Sequence, residues 1–200
     1  VSPILFYDPV ERVIATIHPN HAYEKVVFDP WRQTTFDVND TAAPNATETG
    51  DPRTDEDIKG YVCEYFKTQP ATWQTWRAQR IGNQMGTAEQ DAAQKTEAHA
   101  NTPTVAHLDS LGRTFLTVAH NKFSRRKPDN TLEIIEEPPY YTRVIFDIEG
   151  NQREVIDAFD RKVMTYDYDM LGNKIKQISM DAGTRWMLND VSGKPIKAWD

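Results

Sequence analysis

His18 and His21 stand three residues apart in His-Pro-Asn-His, a spacing that would give two imidazole ligands to a metal ion. A zinc site needs three or four ligands, and no convincing partner lies close in sequence. Cys63 is the single cysteine, so no internal disulfide forms. Among Tyr61, Val62, Tyr65 and Phe66 it reads as a packed thiol rather than a nucleophile. His107 and His120 flank one hairpin and read as a cross-strand pair. Glu133, Glu136 and Glu137 form a carboxylate cluster downstream of Arg125-Arg-Lys127, and solvated charge is the simple reading. None of the signatures G-x-S-x-G, G-x-x-x-x-G-K-S/T, G-x-G-x-x-G or H-E-x-x-H occurs. No catalytic residue, cofactor site or metal site is assigned.

Aspartate differs, because its spacing repeats. Asp109-Ser-Leu-Gly112, Asp147-Ile-Glu-Gly150, Asp169-Met-Leu-Gly172 and Asp190-Val-Ser-Gly193 share one pattern, and Arg113, Asn151, Asn173 or Lys194 follows the glycine. An aromatic or apolar residue precedes most of these aspartates, and also Asp8 and Asp29, with a recurring interval of about 21 residues. A carboxylate at the first position accepts N–H bonds from its own turn. Glycine at the fourth takes the positive φ that a type I turn with a G1 bulge demands. These four aspartates and four glycines therefore read as structural turns, not as acids, bases or ligands. Asp8-Pro-Val-Glu11 and Asp29-Pro-Trp-Arg32 lack the glycine. That calls for either a differently shaped turn or a strained left-handed residue.

The turns need strands on both sides, and Thr142–Phe146, Val163–Tyr168 and Lys174–Ile178 are rich in strand formers. The expected fold is mainly β, with consecutive antiparallel repeat hairpins forming a curved sheet and a small inserted helical region. Three parts are expected: strands over residues 1–40, a loop plus helical insertion over 41–103, and strands over 104–200 with an irregular loop at 124–139. Residues 41–54 read as an exposed polar loop; Asn39-Asp-Thr41 and Asn45-Ala-Thr47 match the glycosylation sequon. Ile58, Tyr61, Val62, Tyr65 and Phe66 mark one amphipathic helix, and Pro70, Trp73 and Trp76 a second. Thr87-Ala-Glu-Gln90 reads as a capping box opening a third. Trp73 and Trp76 either pack in the core or hold a ligand. Across 200 residues, 30 Asp and Glu against 23 Lys and Arg leave a net charge of −7, which argues against nucleic acid as a partner. No stretch approaches the roughly 20 apolar residues that span a bilayer, so this segment is not expected to insert in a membrane. No targeting peptide is visible, and Lys197-Ala-Trp-Asp200 stops in mid-pattern; a piece of a longer protein is expected.

With an aromatic-Asp pair before D-x-x-G-R/N turns, the chain resembles the YD (Rhs) repeats of bacterial toxins and cell-surface proteins. More narrowly, His18-Pro-Asn-His21 through Val26-Val-Phe-Asp-Pro-Trp-Arg32 to Asp37-Val-Asn-Asp40 is similar to the B component of insecticidal toxin complexes, which is related to virulence-plasmid B proteins. Thr104–Asn121, Asp147–Arg153 and Tyr166–Asn173 are similar in the same way, so the resemblance covers residues 4–40 and 104–200. It implies a mechanical role, in which YD repeats build a shell that encloses a cytotoxic C-terminal polypeptide and keeps it unfolded. The implied partners are neighbouring YD repeats, of the same or a partner toxin-complex chain, and the enclosed toxin polypeptide. The implied location is secreted or cell-surface bacterial. The family's self-cleaving aspartates belong to a motif that no segment here matches, so no catalytic residue or cofactor is carried over. Two other readings compete. One is a surface adhesion or carbohydrate-binding module with Trp31, Trp73, Trp76 or Tyr140-Tyr141 as sugar platforms. The other is a small hydrolase using His107 and Asp109.

Overall fold

The computed structural model describes residues 2–44, 50–129 and 131–200. Residues 45–49, which hold the Asn45-Ala-Thr47 sequon and part of the expected polar loop, lie outside the described residues. Strands β1 (Ile4–Tyr7), β2 (Val13–Ile17), β3 (Tyr23–Asp29) and β4 (Arg32–Phe36) pair antiparallel in sequence order. Helices α1 (Lys59–Lys67), α2 (Trp76–Ile81) and α3 (Thr87–Lys95) follow, the last running into a 3-10 turn at Thr96–Ala98. The chain returns to strands at β5 (Thr104–Leu108) and β6 (Thr114–Ala119), then β7 (Lys122–Arg126) and β8 (Leu132–Glu136). Six more complete it: β9 (Tyr140–Phe146), β10 (Gln152–Ile156), β11 (Lys162–Tyr168), β12 (Lys174–Ser179), β13 (Gly183–Asn189) and β14 (Pro195–Trp199). Twelve strands join one sheet in sequence order, skipping β7 and β8, which pair with each other. The fold is thus of the expected class, mainly antiparallel β from consecutive hairpins with a small helical insertion.

Contacts divide the chain into two units, residues 1–105 with 119–139, and residues 106–118 with 140–200. The first unit holds the core. Phe6, Ala15, Lys25 and Phe36 are successive cross-strand partners and so share a face of β1–β4. Ile58 and Val62, four apart, bury one stripe of α1 against Ala15, Ile17 and Tyr23, with Phe6, Tyr65 and Phe66 at its margin. In the second unit no described residue from 140 to 200 is buried.

Four local expectations need correction. Residues 124–139, expected as an irregular loop, carry most of the β7–β8 hairpin. The basic and acidic runs that masked it are cross-strand partners: Lys122 faces Glu136, and Arg125 faces Glu133 with Nη2 donating to Oε2 at 3.3 Å. Thr87 does not cap α3 but is its first residue, behind Gly86 at φ 102. Pro70 opens only a turn, closed by the Trp73 N–H on its carbonyl at 2.9 Å. The second helix starts later, where the Thr75 hydroxyl accepts from the Ala78 N–H at 3.2 Å. Cys63 is exposed rather than packed, because it sits one step off the Ile58–Val62 stripe.

Candidate functional site

Each aspartate of the repeated pattern sits at the mouth of a hairpin and closes it three ways. At Asp109 the backbone N–H donates to the Arg113 carbonyl (2.9 Å) and the carbonyl accepts from the Gly112 N–H (2.9 Å). Its Oδ1 accepts from the Leu111 and Arg113 N–H groups, both at 2.9 Å, and its Oδ2 from Arg113 Nε at 2.7 Å. Asp147 and Asp169 repeat the arrangement with the side-chain amides of Asn151 (3.2 Å) and Asn173 (2.9 Å) on Oδ2. At Asp190, Oδ1 takes the Ser192 and Lys194 N–H groups. Gly112, Gly150, Gly172 and Gly193 sit at φ 75, 93, 78 and 78. The basic or amide residue after each glycine therefore has a local task, since in three of the four turns it fills the second carboxylate oxygen.

Among the described residues, three further turns share this backbone without the glycine. Asp8–Glu11, His18–His21 and Asp157–Asp160 make the same pair of backbone bonds, with Glu11, His21 and Asp160 at φ 66, 70 and 59. Aspartate and histidine tolerate that region better than glutamate does, so Glu11 carries the strain. Asp29 takes the other course, with Arg32 directly opposite it across Pro30-Trp31. The turns at 18–21 and 157–160 lack the glycine that marks the others in the sequence, with His21 and Asp160 in its place. An Asp or His at the first position with a left-handed-tolerant residue at the fourth was the available signal.

Neighbouring turns also touch. The Arg113 guanidinium lies 4.7 Å from the centroid of Phe146, the aromatic residue before Asp147, and a Cβ on Gly150 would fall 2.5 Å from Arg113 Nη1. A Cβ on Gly193 would fall 2.9 Å from Asn173 Oδ1, and one on Gly172 would make an ordinary contact with Asn151 Oδ1 at 3.8 Å. Arg12 likewise lies 4.2 Å from the ring of Phe28, before Asp29, while Nε bonds Asp8 Oδ2 at 2.7 Å. Arg153 lies 5.9 Å from Tyr168, before Asp169, whose hydroxyl donates to the Gln152 carbonyl at 2.9 Å. The aromatic-Asp pair is thus a receiving surface for a cation from the preceding hairpin.

Electrostatics agree with these contacts. The carboxyl of Asp109 is held below its ordinary range chiefly by the Arg113 amide, Asp157 by the Arg161 side chain, Asp169 by the Asn173 side chain and Asp190 by the Ser192 hydroxyl. At Asp8 and Asp147 partial desolvation is the largest influence and pushes upward, but the hydrogen bonds from Arg12 and Asn151 and their neighbours outweigh it together. Such carboxylates are stable anions, unsuited to proton transfer near neutral pH.

Two buried polar groups, unremarked in the sequence reading, hold the helical insertion. Lys25, 1% exposed, places Nζ 2.9 Å from Asp55 Oδ1 and 2.7 Å from Asp57 Oδ2, and 4.6 Å from the Phe36 ring. The Tyr23 hydroxyl donates to Asp55 Oδ2 at 2.9 Å, so the strand β3 grips the approach to α1. Asp40 ties the two ends of the insertion together. Its Oδ2 accepts from the Asp37 N–H (2.8 Å), and its Oδ1 from the Thr102 N–H (2.7 Å) and hydroxyl (2.8 Å). Burial pushes the Asp40 carboxyl above its ordinary range. Partners so distant in sequence leave no local motif.

The other chemistry-bearing residues are scattered into packing roles. The His21 ring stacks on Trp73 (4.9 Å, 11°), with Nδ1 2.6 Å from the Gln74 carbonyl. His18 Nε2 lies 3.6 Å from Glu24 Oε1. The His107 ring lies 6.4 Å from that of Phe115. Trp73 is buried and Trp76 lies under the Arg80 guanidinium, whereas Trp31 and Tyr141 are exposed. Among the described residues no group of three or more His, Cys, Asp and Glu could hold a metal ion, and no helix is long and apolar enough to cross a membrane.

Strands, tight Asp-headed turns and side chains passed from each hairpin to the next define a class: an open antiparallel sheet extended by repetition. Solved structures of similar fold include toxin-complex chains. The Photorhabdus luminescens Tc holotoxin pore matches at a TM-score of 0.58 and 21% identity, over 98% of this chain and 7% of that one. A TcdB2–TccC3 crystal structure matches at 0.56 and 20% identity, over 96% and 7%. TcdB2–TccC3 without its hypervariable C-terminal region matches at 0.57 and 19%, over 98% and 7%. No protein-family model and no curated protein matches the chain. The resemblance read from the motifs is met by a likeness of fold to Tc toxin chains across nearly the whole sequence, which spans 7% of their length.

Proposed function

We propose that this chain is a non-enzymatic structural stretch of a toxin-complex shell, a wall of YD-repeat hairpins that encloses a cytotoxic polypeptide. The observation that carries the reading is the likeness in fold to the Tc holotoxin pore chain over 98% of this one. Two features support it. The turn aspartates, the most regular candidates for chemistry, are engaged by their own turns and held as anions. The strands from 140 onward bury no residue, whereas a sheet in an ordinary domain covers at least one face with another layer. A wall with polypeptide on one side and solvent on the other fits a sheet of that kind. The partners in this reading are neighbouring YD repeats and the enclosed polypeptide, and the location is secreted or cell-surface bacterial.

Met187 and Leu188 are successive strand residues and face opposite sides of the sheet. A photo-crosslinking residue placed at one or the other, in the intact toxin assembly, tests enclosure. One position is expected to capture the enclosed polypeptide and the other not; capture from neither side overturns the reading.

A further inference from the structure

Lys25 and Asp55 meet in the interior of the first unit, with Lys25 Nζ 2.9 Å from Asp55 Oδ1 and both side chains buried. The Tyr23 hydroxyl donates to the other carboxyl oxygen, Oδ2, at 2.9 Å, and the Asp57 N–H donates to Oδ1 at 3.1 Å. The Asp55 carboxyl is therefore held in place by donors on both oxygens. Asp57 brings a second carboxylate to the same nitrogen, its Oδ2 2.7 Å from Nζ, and this side chain is half-exposed. The Phe36 ring, 4.6 Å away, screens the nitrogen from solvent. An amine, a fixed carboxyl with a hydroxyl polarising it, and a separate carboxylate to move a proton are the parts of an amide condensation. Holding them in contact supplies the orientation that such a reaction lacks in water.

We propose that Lys25 and Asp55 join in an isopeptide bond, formed by the fold itself with Asp57 moving the proton. One ammonium proton passes to Asp55 Oδ1, giving a neutral amine and a neutral acid. The nitrogen lone pair attacks Cγ, and the Tyr23 hydroxyl steadies the charge that gathers on Oδ2. Asp57 Oδ2 takes a second proton from the nitrogen and returns it to the leaving Oδ1 hydroxyl. The Cγ–Oδ1 bond breaks, water departs and an amide links Nζ to Cγ. Ammonium plus carboxylate gives amide plus water, so no oxidant, reductant or other reactant enters. A buried ion pair stabilises weakly because both charges have left water, and the amide removes both charges at once. The bond ties β3 to the approach of α1 across 30 residues. Like a disulfide, it restrains the unfolded chain, in a protein whose single cysteine allows no internal disulfide. The proposal goes beyond the shell reading and stands without it.

Mass spectrometry of the full chain, folded and then denatured, tests the bond. The expected mass is that of the sequence less one water. Trypsin is expected to release residues 13–32 uncleaved at Lys25 and joined to residues 54–59. Asp55→Asn preserves the shape of the acceptor and should form the same amide with loss of ammonia in place of water. Lys25→Met should lose neither. Asp57→Asn should lower the crosslinked fraction about tenfold or more at a fixed time after folding. An unaltered chain with the full mass of its sequence overturns the proposal, and the folding of no variant bears on that result. Loss of water that persists in Lys25→Met, or that replaces loss of ammonia in Asp55→Asn, overturns the assignment of the bond to this pair. Undiminished crosslinking in Asp57→Asn overturns the role given to Asp57.

Discussion

Gly112 and Gly193 occupy the same turn position at φ 75 and 78, yet their surroundings differ. A Cβ on Gly112 meets nothing within 4 Å, whereas one on Gly193 meets Asn173 Oδ1 at 2.9 Å. Gly112→Ala should therefore lower stability by about 1–2 kcal/mol, the left-handed penalty alone. Gly193→Ala should lower it further, because Asn173 must leave its hydrogen bond to Asp169 as well. Urea unfolding of the two variants checks the order; equal losses would mean that adjacent turns do not interlock. The same residues set the response to acid. The turn carboxyls ionise more readily folded than unfolded, so their stabilisation is present above the ordinary value of 3.8 and fades as pH falls through their folded values. Asp40 has the opposite sign: its raised value adds stability that is present below 3.8 and is lost as pH rises through the folded value. Melting temperature should accordingly rise between about pH 3 and pH 7, more shallowly in Asp169→Asn and more steeply in Asp40→Asn.

At the scale of elements, the insertion is attached to the sheet by ion pairs and hydrogen bonds as much as by its apolar stripe. Lys25→Ala leaves Asp55, 3% exposed, without its cation, and should cost about 3–5 kcal/mol. Exchange should accelerate in the amides of α1, which Asp55 introduces, more than in those of β4. The paired change Lys25→Met with Asp55→Leu should recover part of the loss, since no charge is then buried alone. A double variant no better than Lys25→Ala would show that the grip on Tyr23 and Asp57 matters more than the charge pair. The β7–β8 hairpin teaches a related lesson about reading charge. Runs of one sign that look like a solvated loop in one dimension become cross-strand partners once the chain reverses.

Taken whole, the second unit has the mechanics of a one-dimensional array, in which each hairpin is secured by the one before it. Disturbance should therefore stay local. Gly193→Ala should raise amide exchange in β13 and β14 and leave α1 unchanged, as native-state exchange with mass spectrometry would report. Release spreading to α1 would indicate a single cooperative body instead. Across residues 140–200 no residue is buried, so each hairpin draws its support from its neighbours along the sheet.

The amino-acid sequence by itself determined the repeated turns, the strands beside them and the amphipathic stripe of α1, because the bonds involved close within four residues or one helical turn. Composition and spacing carry such interactions directly. Tertiary structure alone decided that Asp55 would sit on Tyr23, 32 residues away, and Asp40 on Thr102, 62 residues away. It also decided that the residue after one turn glycine would rest on the next. Those choices depend on where separate segments meet in space, and a carboxylate or an amide side chain looks the same in a sequence whether it faces water or a partner.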